Sequence, residues 1–316
     1  MSKVLQDLFA VTVAKIARLV DKSDPDAWVM PWTKLGLGRH INASTLSAYT
    51  GGNQFILAIY SVVQELEGRH WATHKQWQGL GFQVVPNNEL PTDPNGDPIK
   101  DGRTTLVRWL FPTTCEAHGD KWRKCCSKAT QRAPRPKLFT VFHQSQVRPV
   151  TDEAVMPTDE IPEATFTPNE IINHWKVAGM KVVMVDSDRA FFNGGQDYIN
   201  MPPEGAFDSE ARYNGTFFHE AVHWMGGEAR MGRESQAKSF GDKAYAGEEL
   251  IAEIGAALIA AALDIEPEPH PEHAHYLRSW LEALQEKPDR LYKAAQIAEK
   301  RVERLLALGQ LGEMAA

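Results

Sequence analysis

Cysteine is scarce in this chain of 316 residues: Cys115, Cys125 and Cys126 are the full set. Their number is odd and two are adjacent, which excludes a disulfide framework and a cysteine-based zinc ligand set and favours a reducing, cytoplasmic setting. Long apolar runs are missing as well. No stretch reaches the roughly 18 apolar residues of a membrane span, so none is expected. The first twenty residues read as an amphipathic helix interrupted by Lys15 and Arg18, with no small-residue cleavage site behind it, so a signal peptide is not expected. Basic residues do not dominate the whole: 34 Lys and Arg face 41 Asp and Glu, for a net charge of -7. That balance is uneven. Residues 1–150 hold 19 basic against 12 acidic residues, and residues 151–316 hold 15 against 29. Opposite charge in the two halves points to two modules, the basic one suited to a phosphate backbone.

What is present agrees with two modules. The length suffices for about two ordinary domains, and 43% hydrophobic with 24% charged residues is a globular composition. Residues 148–169 are rich in Pro, Thr and acid and lack periodicity, which sets the expected boundaries: a module over 1–150, a linker over 151–168 and a second module over 169–316. A Pro-rich stretch at 86–103 with an Asn-Gly turn signal reads as a loop. In the first module, helical spacing over Asn53–Gly68, a Thr73-capped helix to Gly79, and strand-like TTLVRWLF (104–111) and LFTVF (138–142) predict mixed α and β. In the second, helices are expected over 168–178, 208–226, 245–263 and within 272–308, with strands at 181–186 and 197–201, a helix-dominated α+β unit.

The chemistry sits in the second module. His219-Glu220-Ala-Val-His223 places two imidazoles four residues apart, on one face of a helix, where they can grip one metal ion, zinc by default. Glu220 is placed to take a proton from an attacking water and deliver it to a leaving amine. The helix 245–263 is nearly all apolar, yet Glu249 and Glu253 share one stripe of it. Buried carboxylates are costly unless paired or bound to metal, so this helix calls for a cation that the histidine helix can supply. Glu249 is favoured as third ligand and Glu253, one turn on, as acceptor for a ligand histidine; the reversed assignment stays open. Glu248 faces away by about 100° and is expected in solvent. His270, His273 and His275 read as part of a polar connector.

In the first module KWRKCCSKATQRAPRPK (121–137) carries seven basic residues and no acid around Trp122. Cations that follow phosphates and rings that stack on bases suit a single strand, which makes Lys121, Arg123 and Lys124 candidates.

The second module resembles the zincin-like metallopeptidase domain of the ArdC-type antirestriction proteins, through DYINMPPEGAFDSEARYNGTFFHEAVHW (197–224), YAGEELIAEIGAALI (245–259) and HAHYLRSWLEAL (273–284). The first resembles that family's N-terminal single-stranded-DNA-binding domain, through MPW (30–32), Asn42 with Thr45, YTGGN (49–53), WATHKQWQGLG (71–81) and LFTVFHQSQV (138–147). The resemblance implies a two-domain α+β protein of mobile DNA that binds single strands and protects incoming DNA from restriction. It implies His219 and His223 as metal ligands, Glu220 as general base and Glu249, in Glu-Leu-Ile-Ala252, as third ligand. Zinc is the implied ion, with other divalent metals such as manganese open to the same donors. Among residues in the shared words, Trp32, Asn42, Tyr49, Asn53, Trp71 and Lys75 are the implied DNA contacts. Two departures stand out: the long insert 86–103 and Met225 where the family has threonine. Two other readings fit the residues: a cytoplasmic metalloprotease whose first module recognises protein, and a non-catalytic DNA-binding protein with a structural metal.

Overall fold

The computed structural model describes residues 39–90, 101–110, 113–115, 129–131, 135–158, 166–186, 188–232, 243–263, 284–287 and 289–315, with Ala10, Val13, Ala14, Ala17 and Ile265. They form a two-domain α+β protein, with a mixed-sheet part toward the N-terminus and a helix-rich part toward the C-terminus. The chain separates into two compact units, Met1–His70 with Met156–Ala316, and Trp71–Val155.

The first unit begins with β1 (Ile41–Asn42), whose Ile41 N–H donates to the Arg69 carbonyl at 2.9 Å. Helix α1 (Gly51–Val63) follows, burying Phe55, Ile56, Leu57, Ala58 and Ile59. The helix expected to reach Gly68 stops five residues earlier. Glu65 adopts φ 50° and Gly68 φ 89°, and this left-handed backbone cannot continue an α-helix.

In the second unit β2 (His70–Ala72) pairs through Trp71 and Ala72 with β7 (Arg135–His143), and β7 pairs antiparallel with β4 (Arg103–Leu110), from Arg103↔Phe142 to Leu110↔Arg135. Between β2 and β4 lie α2 (His74–Gly79) and β3 (Phe82–Val84). The cap expected at Thr73 is present: its backbone N–H and hydroxyl both donate to Gln76 Oε1. Trp77 is fully buried, packs edge-on against Phe82 and donates its indole N–H to the Phe142 carbonyl at 2.9 Å. The short strands β5 (Thr113–Cys115) and β6 (Ala129–Gln131) pair with each other. Strand β8 (Val147–Pro149) pairs with β3, so Arg148 and Pro149, read from composition as the start of an irregular stretch, are strand residues.

The first unit resumes with α3 (Pro168–Val177), opened by a reciprocal cap between Thr167 and Glu170 and by Pro168 at its first position. Then come β9 (Val182–Val183), β10 (Phe191–Asn193) and β11 (Tyr198–Asn200), in the sheet order β10-β11-β9. The histidine helix is α4 (Glu210–Gly226), followed by α5 (Lys243–Ala262) and α6 (Asp289–Ala315). Phe217, Phe218, Ala221 and Val222 of α4, Leu250, Ile254 and Leu258 of α5, and Leu291, Ala298, Val302 and Leu305 of α6 share one core with Ile171 and Trp175 of α3 and Phe55 and Ile59 of α1. Val13, within the expected N-terminal amphipathic helix, is buried in the same core.

Helices α4 and α5 approach closely because α5 is built of small residues at the crossing. A Cβ placed on Gly255 would lie 2.6 Å from Val222 Cγ2. Gly255→Ala is therefore expected to lower stability by about 1–3 kcal/mol through overpacking, read as a fall in Tm. A Tm equal to that of the unaltered chain would mean that the crossing has slack.

Candidate metal centre

Helix α4 starts two residues later than the sequence indicates. Ser209 caps it by accepting from the Arg212 N–H at 3.1 Å, and Asp208, expected as its first residue, pairs with the Arg212 guanidinium at 2.7 Å. Both histidines face α5, with Nε2 of His219 and Nε2 of His223 only 3.1 Å apart. Glu249 of α5 presents one carboxylate oxygen to each, at 3.4 Å from His219 Nε2 and 3.4 Å from His223 Nε2. These are the residues among those described whose ligand atoms converge, all within 4.8 Å of one another. Two nitrogens and an oxygen each about 2.0–2.2 Å from a tetrahedral ion lie about 3.3–3.5 Å from one another, so the spacing suits zinc or an ion of similar size.

The other ring nitrogens point away from this focus, each to its own carboxylate. His219 Nδ1 lies 2.6 Å from Glu253 and His223 Nδ1 lies 3.5 Å from Glu248. A carboxylate on Nδ1 holds the proton there and leaves the Nε2 lone pair for an ion. The expectation of a solvated Glu248 is incorrect. Its side chain is 15% exposed and is gripped by Arg301 of α6, a residue 0% exposed. A helical wheel drawn for α5 alone points Glu248 away from the metal face, but a third helix closes over that side.

Charge is tightly coupled here. Burial opposes the charged form of His219, yet Glu249 and Glu253 overcome it and raise the imidazole well above its ordinary value. Burial likewise opposes His223, which Glu248 and Glu249 nonetheless raise to about 9. Burial would raise Glu249, but the two histidines hold its carboxyl well below the usual range. An ion needs neutral imidazoles, so it must displace protons that the metal-free site holds up to high pH. Metal affinity is therefore expected to rise with pH at least as far as about 9, where His223 loses its proton unaided. The rise should be about tenfold per unit for each proton displaced. A titration with Mn(II) at several pH values checks this; an affinity independent of pH contradicts it.

Glu220 lies on α4 next to His219 and is 8% exposed; among the described residues no cation pairs with its carboxylate. Phe217, Phe218 and Trp224 are buried around this stretch of the helix. Trp224 also stacks under the Arg230 guanidinium at 3.8 Å, and Arg230 in turn pairs with Asp197.

The residues expected to touch DNA are more dispersed. Asn42 donates to the Tyr49 hydroxyl at 3.0 Å and accepts from the N–H groups of Ser44 and Thr45, so it organises its own loop. Burial, the larger influence on Tyr49, pushes its phenol up to about 12. Asn53 is half-buried on α1, and Lys75 is exposed on α2 beside exposed His74. Trp71 is 0% exposed, its ring packed edge-on against His143 at 4.8 Å, so it has no open face for a base and serves as a core ring. Trp32, Lys121, Arg123 and Lys124 lie outside the described residues, as do His270, His273 and His275. Phe142 carries no signal of its own in the sequence; it is half-buried, faces His74 with ring centroids 6.5 Å apart, and stands opposite exposed Arg103 in the sheet register.

Comparison with known proteins agrees with this architecture. Residues 6–142 match the N-terminal domain of anti-restriction factor ArdC, and residues 171–297 match the zincin-like metallopeptidase family. An Escherichia coli protein named DNA primase TraC is 31% identical over 300 residues, 92% of this chain and 19% of that protein, so the chain spans about a fifth of that relative's length. The Sinorhizobium fredii protein y4eC is 28% identical over 304 residues, covering 93% of this chain and 90% of that one. The crystal structure of the antirestriction ArdC protein from the R388 plasmid in its Mn(II)-bound form matches with a TM-score of 0.70 at 28% identity, over 96% of this chain and 98% of that chain. Two domains of the ArdC kind in ArdC's order, and a fold shared along nearly the whole chain, make this protein a member of the ArdC-type antirestriction family.

Proposed function

We infer that this chain is an antirestriction protein that binds single-stranded DNA and carries a peptidase-type centre for a divalent metal. His219, His223 and Glu249 would hold the ion, with Glu220 as general base. The observation that carries the reading is the convergence of two nitrogens from α4 and a carboxylate from α5 on one focus. Two imidazoles and one carboxylate are the donor set of catalytic zinc sites, with manganese the alternative supported by the Mn(II)-bound ArdC relative. When bound, the ion supplies a Lewis acid that polarises a peptide carbonyl and acidifies water.

The chain's own residues supply the remainder. Glu220 accepts the proton of the attacking water and returns it to the departing amine of a peptide substrate. Phe217, Phe218 and Trp224 keep the surroundings apolar, which strengthens each electrostatic contact. Glu253 and Glu248 fix the tilt of the two imidazoles. Activity against a peptide library, present with metal and lost on chelation, is the test of the hydrolytic reading.

For DNA, the unit Trp71–Val155 is the basic one, with 12 Lys and Arg against 8 Asp and Glu, although the chain as a whole is acidic. Lys75, His74, Arg103 and half-buried Phe142 offer cations and a ring edge on that unit, to which Lys121, Arg123 and Lys124 would add. A setting in the cytoplasm, where incoming DNA is met, belongs to the same reading; among the described residues no helix is long and apolar enough to cross a membrane. Fluorescence anisotropy of the full chain with a single-stranded oligonucleotide is expected to show binding that weakens steeply with salt and exceeds binding to duplex. Lys75→Glu should reduce the salt slope by about one for each phosphate no longer neutralised. Equal affinity for duplex and single strand would move this unit to protein recognition.

A further inference from the structure

Arg301 is among the largest fully buried side chains of the protein. Its guanidinium spans the two oxygens of Glu248, with Nη2 3.2 Å from Oε2 and Nη1 in closer contact with Oε1, and Nη1 also reaches the Val222 carbonyl at 3.4 Å. The room for it is made by Gly226, where a Cβ would lie 2.4 Å from Arg301 Cζ. Glu248 Oε1, the oxygen held by Nη1, is also the one 3.5 Å from His223 Nδ1. A continuous line therefore runs from Arg301 through Glu248 and the His223 ring to the Nε2 at the metal focus.

Stability alone is a poor reason for this pair. Taking a guanidinium and a carboxylate out of water is costly, and an apolar pair of similar volume often serves as well or better. What an apolar pair cannot do is accept a hydrogen bond from His223 Nδ1. Without the guanidinium spanning both of its oxygens, Glu248 would lose the contact that fixes its carboxylate beside His223, and the imidazole would lose the acceptor that fixes its tilt and tautomer. Arg supplies this as a planar fork that fixes both oxygens, which a lysine does not.

The geometry points to Arg301 and Glu248 as a positioning pair for the metal centre: helix α6, which supplies no ligand, sets metal affinity by clamping the carboxylate that orients His223. This rests on the metal reading above. Mn(II) affinity and its electron paramagnetic resonance spectrum, with the Tm of the metal-free protein, separate the possibilities. Arg301→Met should lose both stability and affinity, because it strands Glu248. The double variant Glu248→Met with Arg301→Met removes both charges, so its metal-free Tm should recover toward that of the unaltered chain. Its Mn(II) affinity should remain about 10–100-fold weaker, with an altered spectrum. Arg301→Lys, which keeps the charge and loses the fork, should fall between the two. Wild-type affinity in the double variant, or in Arg301→Lys, overturns the inference and leaves the three-ligand site standing. Mn(II) binding unchanged in His219→Ala brings down the metal reading itself, and this inference with it.

Discussion

His219→Ala is expected to bind Zn(II) or Mn(II) more than about a hundredfold more weakly than the unaltered chain, beyond the usual cost of losing an outer hydrogen bond. His223→Ala should match it, because each removes one of three donors at a single focus. The loss also appears as stability. With metal at about a hundred times its Kd, the unaltered chain gains about 2.7 kcal/mol, and neither variant gains it. Glu249→Ala belongs with the histidine variants, since its two oxygens sit 3.4 Å from both Nε2 atoms. Glu253→Ala should lose only about 10–100-fold, because it touches the far nitrogen of His219. Isothermal titration and thermal melts with and without metal measure all four. The opposite order for the two glutamates would exchange their roles.

The second large effect is in turnover. Glu220→Gln should keep the metal and its stabilisation, because Glu220 is not among the converging donors. It should lower peptide hydrolysis by about 10²–10⁴-fold, the usual contribution of a general base. A peptide library scanned with the unaltered chain identifies a substrate, and the rate for Glu220→Gln on that substrate gives the ratio. If both proteins bind metal and neither cleaves any peptide, the ion is structural and the protein acts through DNA alone.

The convergence of His219, His223 and Glu249 is legible in the sequence because its signals are short-range or energetic. Histidines four apart on a helix share a face whatever else the chain does, and carboxylates on an apolar helix such as α5 require a partner. Glu248 is misread from sequence for the complementary reason. Its partner, Arg301, lies 53 positions away on a helix whose approach depends on Gly226 and on the whole core. Strand β10 escapes notice because three residues, Phe191–Asn193, become a strand only by pairing with β11 across a turn. The Asn193-Gly pair that opens that turn is the available signal. Trp71 shows the limit of assigning DNA contacts from family resemblance. A shared stretch marks a residue as constrained, and burial against His143 constrains a tryptophan as firmly as a nucleotide would. The end of α1 at Val63 is hidden in the same way, since Leu66 is buried and keeps the apolar rhythm after the helix has stopped.

The most direct measurement is an anomalous difference map from a crystal of this chain grown with Mn(II), recorded near the manganese edge. A single strong peak about 2.0–2.3 Å from His219 Nε2, His223 Nε2 and a Glu249 oxygen is the expected result. A peak bound through Glu253 or Glu248 instead, or no peak within reach of both histidines, would contradict the three-ligand centre.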